Sequence, residues 1–381
     1  MRIVYVIESF ANIGGTERIL SDKMNYMAGI FNWDIILITT SQGNHIYPFN
    51  LSRKIKHIDL NIRFHTVYTM PLHKRLLQSI IMKIKFRKQL TEIINNLKPD
   101  FVVGTTYFKA DVICKINVKA RKIIESHNAK SYTGFYDIKR SYIRQIIYNI
   151  SQNLYFKKIE KCSDCIIALT NGDATEWSKF SKVKVIPNLV NIIPTYKNRY
   201  RTKRVICVGR LVYQKGFDLL IEAWKYVSEK HPDWKLDIFG SGELFNELKN
   251  KISNNYLDDY ITIFPATKEI LVEYRKRDFF ILSSRYEGFG LVLVEAMMNG
   301  LPCISFDCPY GPSDIIENHK NGILVENGNI KKLADAICFL IENEDLCNQY
   351  GKEAIETSKR YSPENIMPLW KDLFDNFKYN R

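Results

Sequence analysis

Two glutamates eight positions apart, Glu287 and Glu295, bracket the turn Gly288-Phe-Gly290 and an apolar run that starts at Leu291. At about 100° per residue they would stand roughly 80° apart on one helix, which disfavours a same-face acid pair. Glu287 fits a loop, and Glu295 the second turn of a helix. Backbone N–H groups at Gly290 and Leu291 would then form that helix's positive end, suited to phosphate, while each carboxylate accepts hydrogen bonds from sugar hydroxyls. Arg210 and Lys215 share another loop, in Val208-Gly-Arg-Leu-Val-Tyr-Gln-Lys-Gly216. A guanidinium fork beside a point-charge ammonium suits a diphosphate, although either alone also reads as solvated surface charge. Gly14 and Gly15 precede a helix that Thr16 would cap, where backbone could approach a phosphate or simply turn. Gly240-Ser-Gly242 follows an apolar segment and would leave backbone open to a flat base or ribose, or form a tight turn. His127, in Glu125-Ser-His-Asn128, is one of seven histidines and reads equally as a satisfied residue at a strand end.

These loops need a scaffold that gathers strand ends. In the first half, the apolar runs RIVYVIES, WDIILITT, FVVGTT, KIIESHN and CIIALT alternate with amphipathic segments, the rhythm of βα units with a buried parallel sheet. After the basic stretch Pro194–Lys203 the rhythm restarts with RVICVGR, WKLDIFGSG, YITIFPA, FFILSS and PCISFD. Two parallel-sheet α/β domains are expected, residues 1–188 and 189–363. A final helix, about 364–381, follows the cap signature Ser362-Pro-Glu and is expected to pack back on the first domain. In such sheets ligands bind at the carboxyl ends of the strands, where the singled-out loops fall.

The chain has 381 residues, 46% hydrophobic and 25% charged, enough for two cored domains. The apolar run near the N-terminus is too short for a signal peptide, and no run reaches the ~18 residues of a membrane span. Eight cysteines scattered through apolar segments suit a reducing cytoplasm and free thiols. Cys162 and Cys165 have the spacing of half a zinc site, but no second pair completes it. Charge is uneven: residues 1–195 carry 29 Lys+Arg against 14 Asp+Glu, while residues 196–381 carry 26 against 27. An anionic partner met by the first half alone is implied.

The ordered set Gly14-Gly15, Glu125-Ser-His-Asn128, Ile186-Pro-Asn188, Gly209-Arg210 with Lys215-Gly216, Gly240-Ser-Gly242, Glu287-x7-Glu295 with Gly-Leu-Pro302, and Gly322-Ile-Leu-Val325 resembles the family 4 glycosyltransferases of the GT-B fold. The resemblance implies two Rossmann-like, doubly wound parallel-sheet domains facing across a cleft, and a retaining transferase of the hexosyltransferase type. It implies that Arg210 and Lys215 bind the donor diphosphate, that Glu295 holds the nucleotide ribose, and that Glu287 holds the donor sugar. His127 would face the reacting centre. Asp307-Cys-Pro-Tyr-Gly-Pro-Ser-Asp-Ile-Ile316 is similar to a variant in bacterial surface-polysaccharide transferases, which favours a UDP-sugar donor and a saccharide or lipid-linked acceptor. The family needs no bound metal, and no Asp-x-Asp motif flanks an apolar strand here. No cofactor is expected beyond the nucleotide-sugar co-substrate.

Arg63–Leu90 holds seven Lys+Arg and no acid, with Leu76, Leu77, Ile80, Ile81 and Ile84 at helical spacing. It reads as an amphipathic basic helix for an anionic membrane surface, widened by Lys139–Tyr148, or as a core stripe with a solvated face. The first reading makes the protein cytoplasmic and peripheral on the inner face of the cell membrane. Nucleic acid would also explain the basic half, but no helix-turn-helix, zinc module or aromatic-basic sheet motif is present. A nucleotide-sugar epimerase would share this architecture, and so would a nucleotide-sugar-binding protein that has lost catalysis.

Overall fold

The computed structural model describes residues 1–11, 14–132, 142–177, 182–195 and 201–379. Asn12 and Ile13 of the glycine loop, the start of the Lys139–Tyr148 stretch and the middle of the basic linker lie outside them.

The apolar runs form two wholly parallel sheets. The first has seven strands: β1 (Arg2–Val6), β2 (Asp34–Thr39), β3 (Lys56–Asp59), β4 (Phe101–Thr105), β5 (Arg121–Ser126), β6 (Cys165–Ala168) and β7 (Val183–Val185), in the order 3-2-1-4-5-6-7. The second has six: β8 (Arg204–Val208), β9 (Lys235–Phe239), β10 (Ile261–Phe264), β11 (Phe279–Leu282), β12 (Cys303–Asp307) and β13 (Gly322–Glu326), in the order 10-9-8-11-12-13. Strands such as β6 and β11 are buried throughout, because helices cover both faces of a parallel sheet. Strand order reverses between β1 and β4 and again between β8 and β11. Those two switch points open crevices at the carboxyl ends of the strands, the binding position of doubly wound folds.

Three strands, β3, β7 and β13, are not among the expected runs. β3 (Lys-His-Ile-Asp) and β7 (Val-Lys-Val) are half-exposed sheet edges that pair on one side only, so their polar composition hides them.

The helix Leu72–Leu97 carries two apolar stripes. Met82, Phe86, Leu90 and Ile94, spaced four apart, are buried against the first sheet, in one core with Phe156 and Ile159 of the helix Tyr142–Cys162. The stripe singled out in the sequence is the other one: Leu76, Leu77 and Ile84 are 62%, 62% and 64% exposed. No helix among the described residues is long and apolar enough to cross a membrane.

The helix Pro363–Tyr379 packs on the first domain. Its Phe374 ring lies 4.7 Å from Phe101 and 5.7 Å from Trp33, and Lys378 pairs with Asp100 at 3.1 Å. The two domains also touch directly. Tyr310 donates to Glu176 at 2.7 Å, Asn171 donates to Asp314 at 2.9 Å, and the Tyr132 and Tyr286 rings stack at 4.8 Å.

Candidate active site

Strand β8 ends at the loop that carries Arg210 and Lys215. The chain turns through Tyr213–Lys215 into Gly216, whose φ of +61° favours glycine and where a Cβ would run into the Ser283 carbonyl oxygen. That contact sets the Arg210–Lys215 loop against the loop leaving β11. Ser283 Oγ donates to the Lys215 carbonyl at 2.9 Å, and the Gln214 amide donates to the Tyr286 carbonyl at 2.9 Å. Lys215 Nζ then lies 2.6 Å from Glu287 Oε1, which also accepts from Ser284 Oγ at 2.6 Å. Arg210 is exposed and makes no ion pair with a described residue.

Gly240 and Gly242 bring the turn after β9 onto the same loop. A Cβ on Gly240 would meet the Gly209 carbonyl oxygen, and Ser241 O accepts from the Leu211 N–H at 2.9 Å. Close backbone packing therefore requires these glycines.

Gly290, at φ +92°, precedes the helix Leu291–Met298, which places Glu287 in the loop and Glu295 in the second turn. Glu295 is buried. Its Oε1 lies 2.7 Å from Nη1 of Arg18, from the first domain, and Tyr274 OH reaches Oε2 at 3.4 Å. Burial pushes the Glu295 carboxyl above its ordinary range, with Arg18 opposing.

From the first domain, the helix Gly15–Gly29 begins beside this site. Gly14 is its N-cap and supplies no side-chain cap. Thr16 lies inside the helix instead of capping it, because the Arg18 N–H already bonds to the Gly14 carbonyl at 3.2 Å. A Cβ on Gly15 would stand 3.2 Å from Leu291 Cδ1, so the glycine pair faces the N-terminus of the helix Leu291–Met298. His127, just beyond β5, lies against Gly288, where any Cβ would strike the His127 carbonyl oxygen. Its Nε2 is 3.0 Å from Glu125 Oε2, and the other oxygen of Glu125 meets Lys23. Burial would raise the Glu125 carboxyl, but Lys23 and then the His127 hydrogen bond bring it below the usual range.

Across the two domains Gly15 meets Leu291, the His127 backbone meets Gly288 and Arg18 meets Glu295, while Lys215 pairs with Glu287 within the second. Gly14, Gly15 and His127 come from the first domain; Arg210, Lys215, Gly240, Glu287, Gly290, Leu291 and Glu295 come from the second. Arg18, Lys23, Ser284 and Gly288 join them without having been expected there. For Lys23 a signal existed: it interrupts the apolar series Ile19, Leu20, Met24 and Met27, and a lysine inside a buried stripe requires an acidic partner.

Two doubly wound parallel sheets facing each other in this way are the GT-B fold. Residues 192–357 match the family model described as "Glycosyl transferases group 1". The match lies within the second domain. The chain is 28% identical to a glycosyltransferase of Haemophilus influenzae over 98% of this chain and 99% of that one. It is 36% identical to a poly(ribitol-phosphate) alpha-N-acetylglucosaminyltransferase of Staphylococcus aureus over 55% of this chain and 44% of the other. The fold is also that of S. aureus TarM, solved as a mutant with fondaparinux, alpha-GlcNAc-glycerol and UDP, at a TM-score of 0.77, 18% identity, and 98% and 99% coverage of the two chains. Sucrose-phosphate synthase from Thermosynechococcus elongatus superposes at 0.83 with 17% identity, over 100% of both chains.

Proposed function

We propose that this glycosyltransferase moves a sugar from a nucleotide-sugar, a UDP-sugar in first place, onto a saccharide or lipid-linked acceptor of a bacterial surface glycan, with retention at the anomeric carbon. The observation that carries this reading is that the Lys215–Glu287 pair and the N-terminus of the helix Leu291–Met298 meet the first domain at the His127 backbone and at Gly15, with the exposed Arg210 on the same loop as Lys215. As the bond from anomeric carbon to diphosphate oxygen breaks, charge grows on the departing nucleotide. A guanidinium, an ammonium and helix N–H groups answer that charge without a metal ion. Glu295 takes the ribose hydroxyls, and Glu287 a hydroxyl of the donor sugar. The UDP preference rests on the Asp307–Ile316 segment and on the UDP bound by TarM.

The acceptor side rests on the anionic inner face of the cytoplasmic membrane. Leu76, Leu77, Ile80, Ile81 and Ile84 are exposed beside Lys74, Arg75, Lys83, Lys85, Arg87 and Lys88. On the same face of the sheet the helix Tyr142–Cys162 exposes Ile146, Ile147, Ile150 and Leu154. Apolar side chains flanked by lysine and arginine suit shallow insertion among acidic headgroups.

A thermal-shift panel of UDP-, GDP- and ADP-sugars, followed by mass spectrometry of products on extracted lipid-linked acceptors, tests the transfer. UDP-sugars should stabilise most, and an acceptor one sugar heavier should appear. Return of the donor as an epimer, with no acceptor product, would replace this reading with the epimerase.

A further inference from the structure

Lys23 sits in the core of the first domain, 1% exposed. Its ammonium meets one oxygen of Glu125 and lies 4.1 Å from the centre of the Trp370 ring and 5.2 Å from that of Tyr5. Glu125, also 1% exposed, offers its second oxygen to Nε2 of His127 at 3.0 Å. Three ionisable side chains therefore form one buried line, from a helix through a strand to the residue that faces Gly288 of the other domain.

A carboxylate only accepts, so Nε2 of His127 must donate. The line holds one negative and one positive charge before the imidazole is counted. An imidazolium would leave the cluster with a surplus buried charge, which is costly away from water. Of the acids nearby, Glu125 is the one bonded to the imidazole, whereas Glu8 and Glu17 stand beside Tyr107. Tyr5 on β1 is a phenol that burial, and then Glu125, pushes far from ionising. Tyr107 beyond β4 stands with its ring 6.5 Å from that of His127 and has Glu17, Glu125 and Glu8 as its charged neighbours. Trp370 on the last helix carries no charge. The second domain presents the backbone of Gly288.

We propose that Lys23 is a positioning residue for His127. By balancing Glu125 it keeps the imidazole neutral, with its proton on Nε2, and leaves Nδ1 as a hydrogen-bond acceptor. This rests on the reading of His127 as the group at the reacting centre. A glycosyl transition state has oxocarbenium character, so a neutral acceptor beside it is tolerated and an imidazolium is repelled. Without Lys23, the Glu125 carboxylate is left with His127, which takes a second proton and turns Nδ1 from acceptor to donor.

Ring-nitrogen NMR of histidine-labelled protein, free of ligand at neutral pH, reads this directly. Wild type should show His127 neutral and protonated on Nε2 alone. Lys23→Met should show both nitrogens protonated, and Lys23→Arg should keep the wild-type pattern. In transfer assays Lys23→Met should lose at least tenfold in kcat with little change in donor KM, and should recover as pH rises. An unchanged His127 pattern in Lys23→Met overturns the proposal, whether or not sugar transfer is found. Failure of sugar transfer with the expected NMR pattern overturns the functional reading instead. Should Lys23→Met not fold, Lys23→Met/Glu125→Gln removes both buried charges. His127 should then divide between its two neutral forms, and a single form protonated on Nε2 there also overturns the proposal.

Discussion

Arg18 and Glu295 form an ion pair across the cleft, 2.7 Å from Nη1 to Oε1, although 277 positions separate them in the chain. The carboxylate assigned to the ribose is thus already held by the opposite domain. Glu295→Ala should weaken binding of free UDP roughly tenfold to a hundredfold, the size of a charge-assisted contact. Arg18→Ala should also weaken it, by leaving Glu295 buried without its cation. Glu287→Ala should spare UDP and damage turnover. Titration calorimetry with UDP, beside kcat, separates them; equal effects of Glu287→Ala and Glu295→Ala on UDP affinity would count against the assignment.

Arg210 and Lys215 should weaken UDP binding by about 1.5 to 3 kcal/mol each when cut to alanine. Their effects on stability should differ. Arg210 is exposed, so Arg210→Ala should change the unfolding free energy by less than about 0.5 kcal/mol. Lys215→Ala strands the buried Glu287 and should cost on the order of 1 to 3 kcal/mol. Chemical denaturation measures this, and loss of stability in Arg210→Ala but not in Lys215→Ala would reverse the picture.

Gly288→Ala places a methyl against the His127 carbonyl oxygen. Backbone faces backbone there, so the domains must part. Because misplacement of reacting groups by about 1 Å can cost on the order of a hundredfold, kcat should fall about that far. Small-angle scattering should report a larger radius of gyration. A variant with wild-type kcat would sink the idea.

Asp173 supplies a pH test. Burial pushes its carboxyl from 3.8 to about 6, against hydrogen bonds from Lys130 N–H, Ser126 and Trp177. An acid raised in the folded state stabilises while protonated, and that contribution is lost as pH climbs toward and past the raised value. Relative to Asp173→Asn, the wild type should lose on the order of 2 to 3 kcal/mol between about pH 4 and pH 7. Parallel pH profiles of the two proteins would contradict it.

Vesicle co-sedimentation tests the membrane face. Binding should be strong to anionic vesicles at low salt, weak to neutral ones, and reversed by salt, since each basic residue near the surface contributes about 1 kcal/mol that ions screen. Neutralising Lys74, Arg75, Lys83, Lys85, Arg87 and Lys88 together should abolish it. Equal binding to neutral vesicles would point to an apolar contact alone.

The sequence carried the scaffold further than the contacts. Runs such as Phe279–Leu282 read as buried strands because nothing but apolar packing specifies them, whereas Lys56–Asp59 has the composition of a loop and is a strand only because β2 offers it an edge. The turn around Gly290 was legible from local rules, which put Glu287 before the helix and Glu295 inside it. Their partners were not. Lys215 meets Glu287 through the packing of two loops, and Arg18 meets Glu295 only when the domains face each other. Neither distance is encoded in a spacing. On the helix Leu72–Leu97 the periodic series at Leu76 and Ile80 was visible, but the spacing of four at Met82, Phe86, Leu90 and Ile94 is the one the core uses.

Phe374 closes its ring contacts with Trp33 and Phe101 from a helix that follows the whole second domain in the chain. Domains ordinarily fold in the order in which the ribosome releases them. Here the first domain lacks part of its core until the whole second domain has been made. The surface around Trp33 stays uncovered while the second sheet is synthesised, so completion of the first domain waits on synthesis of the second.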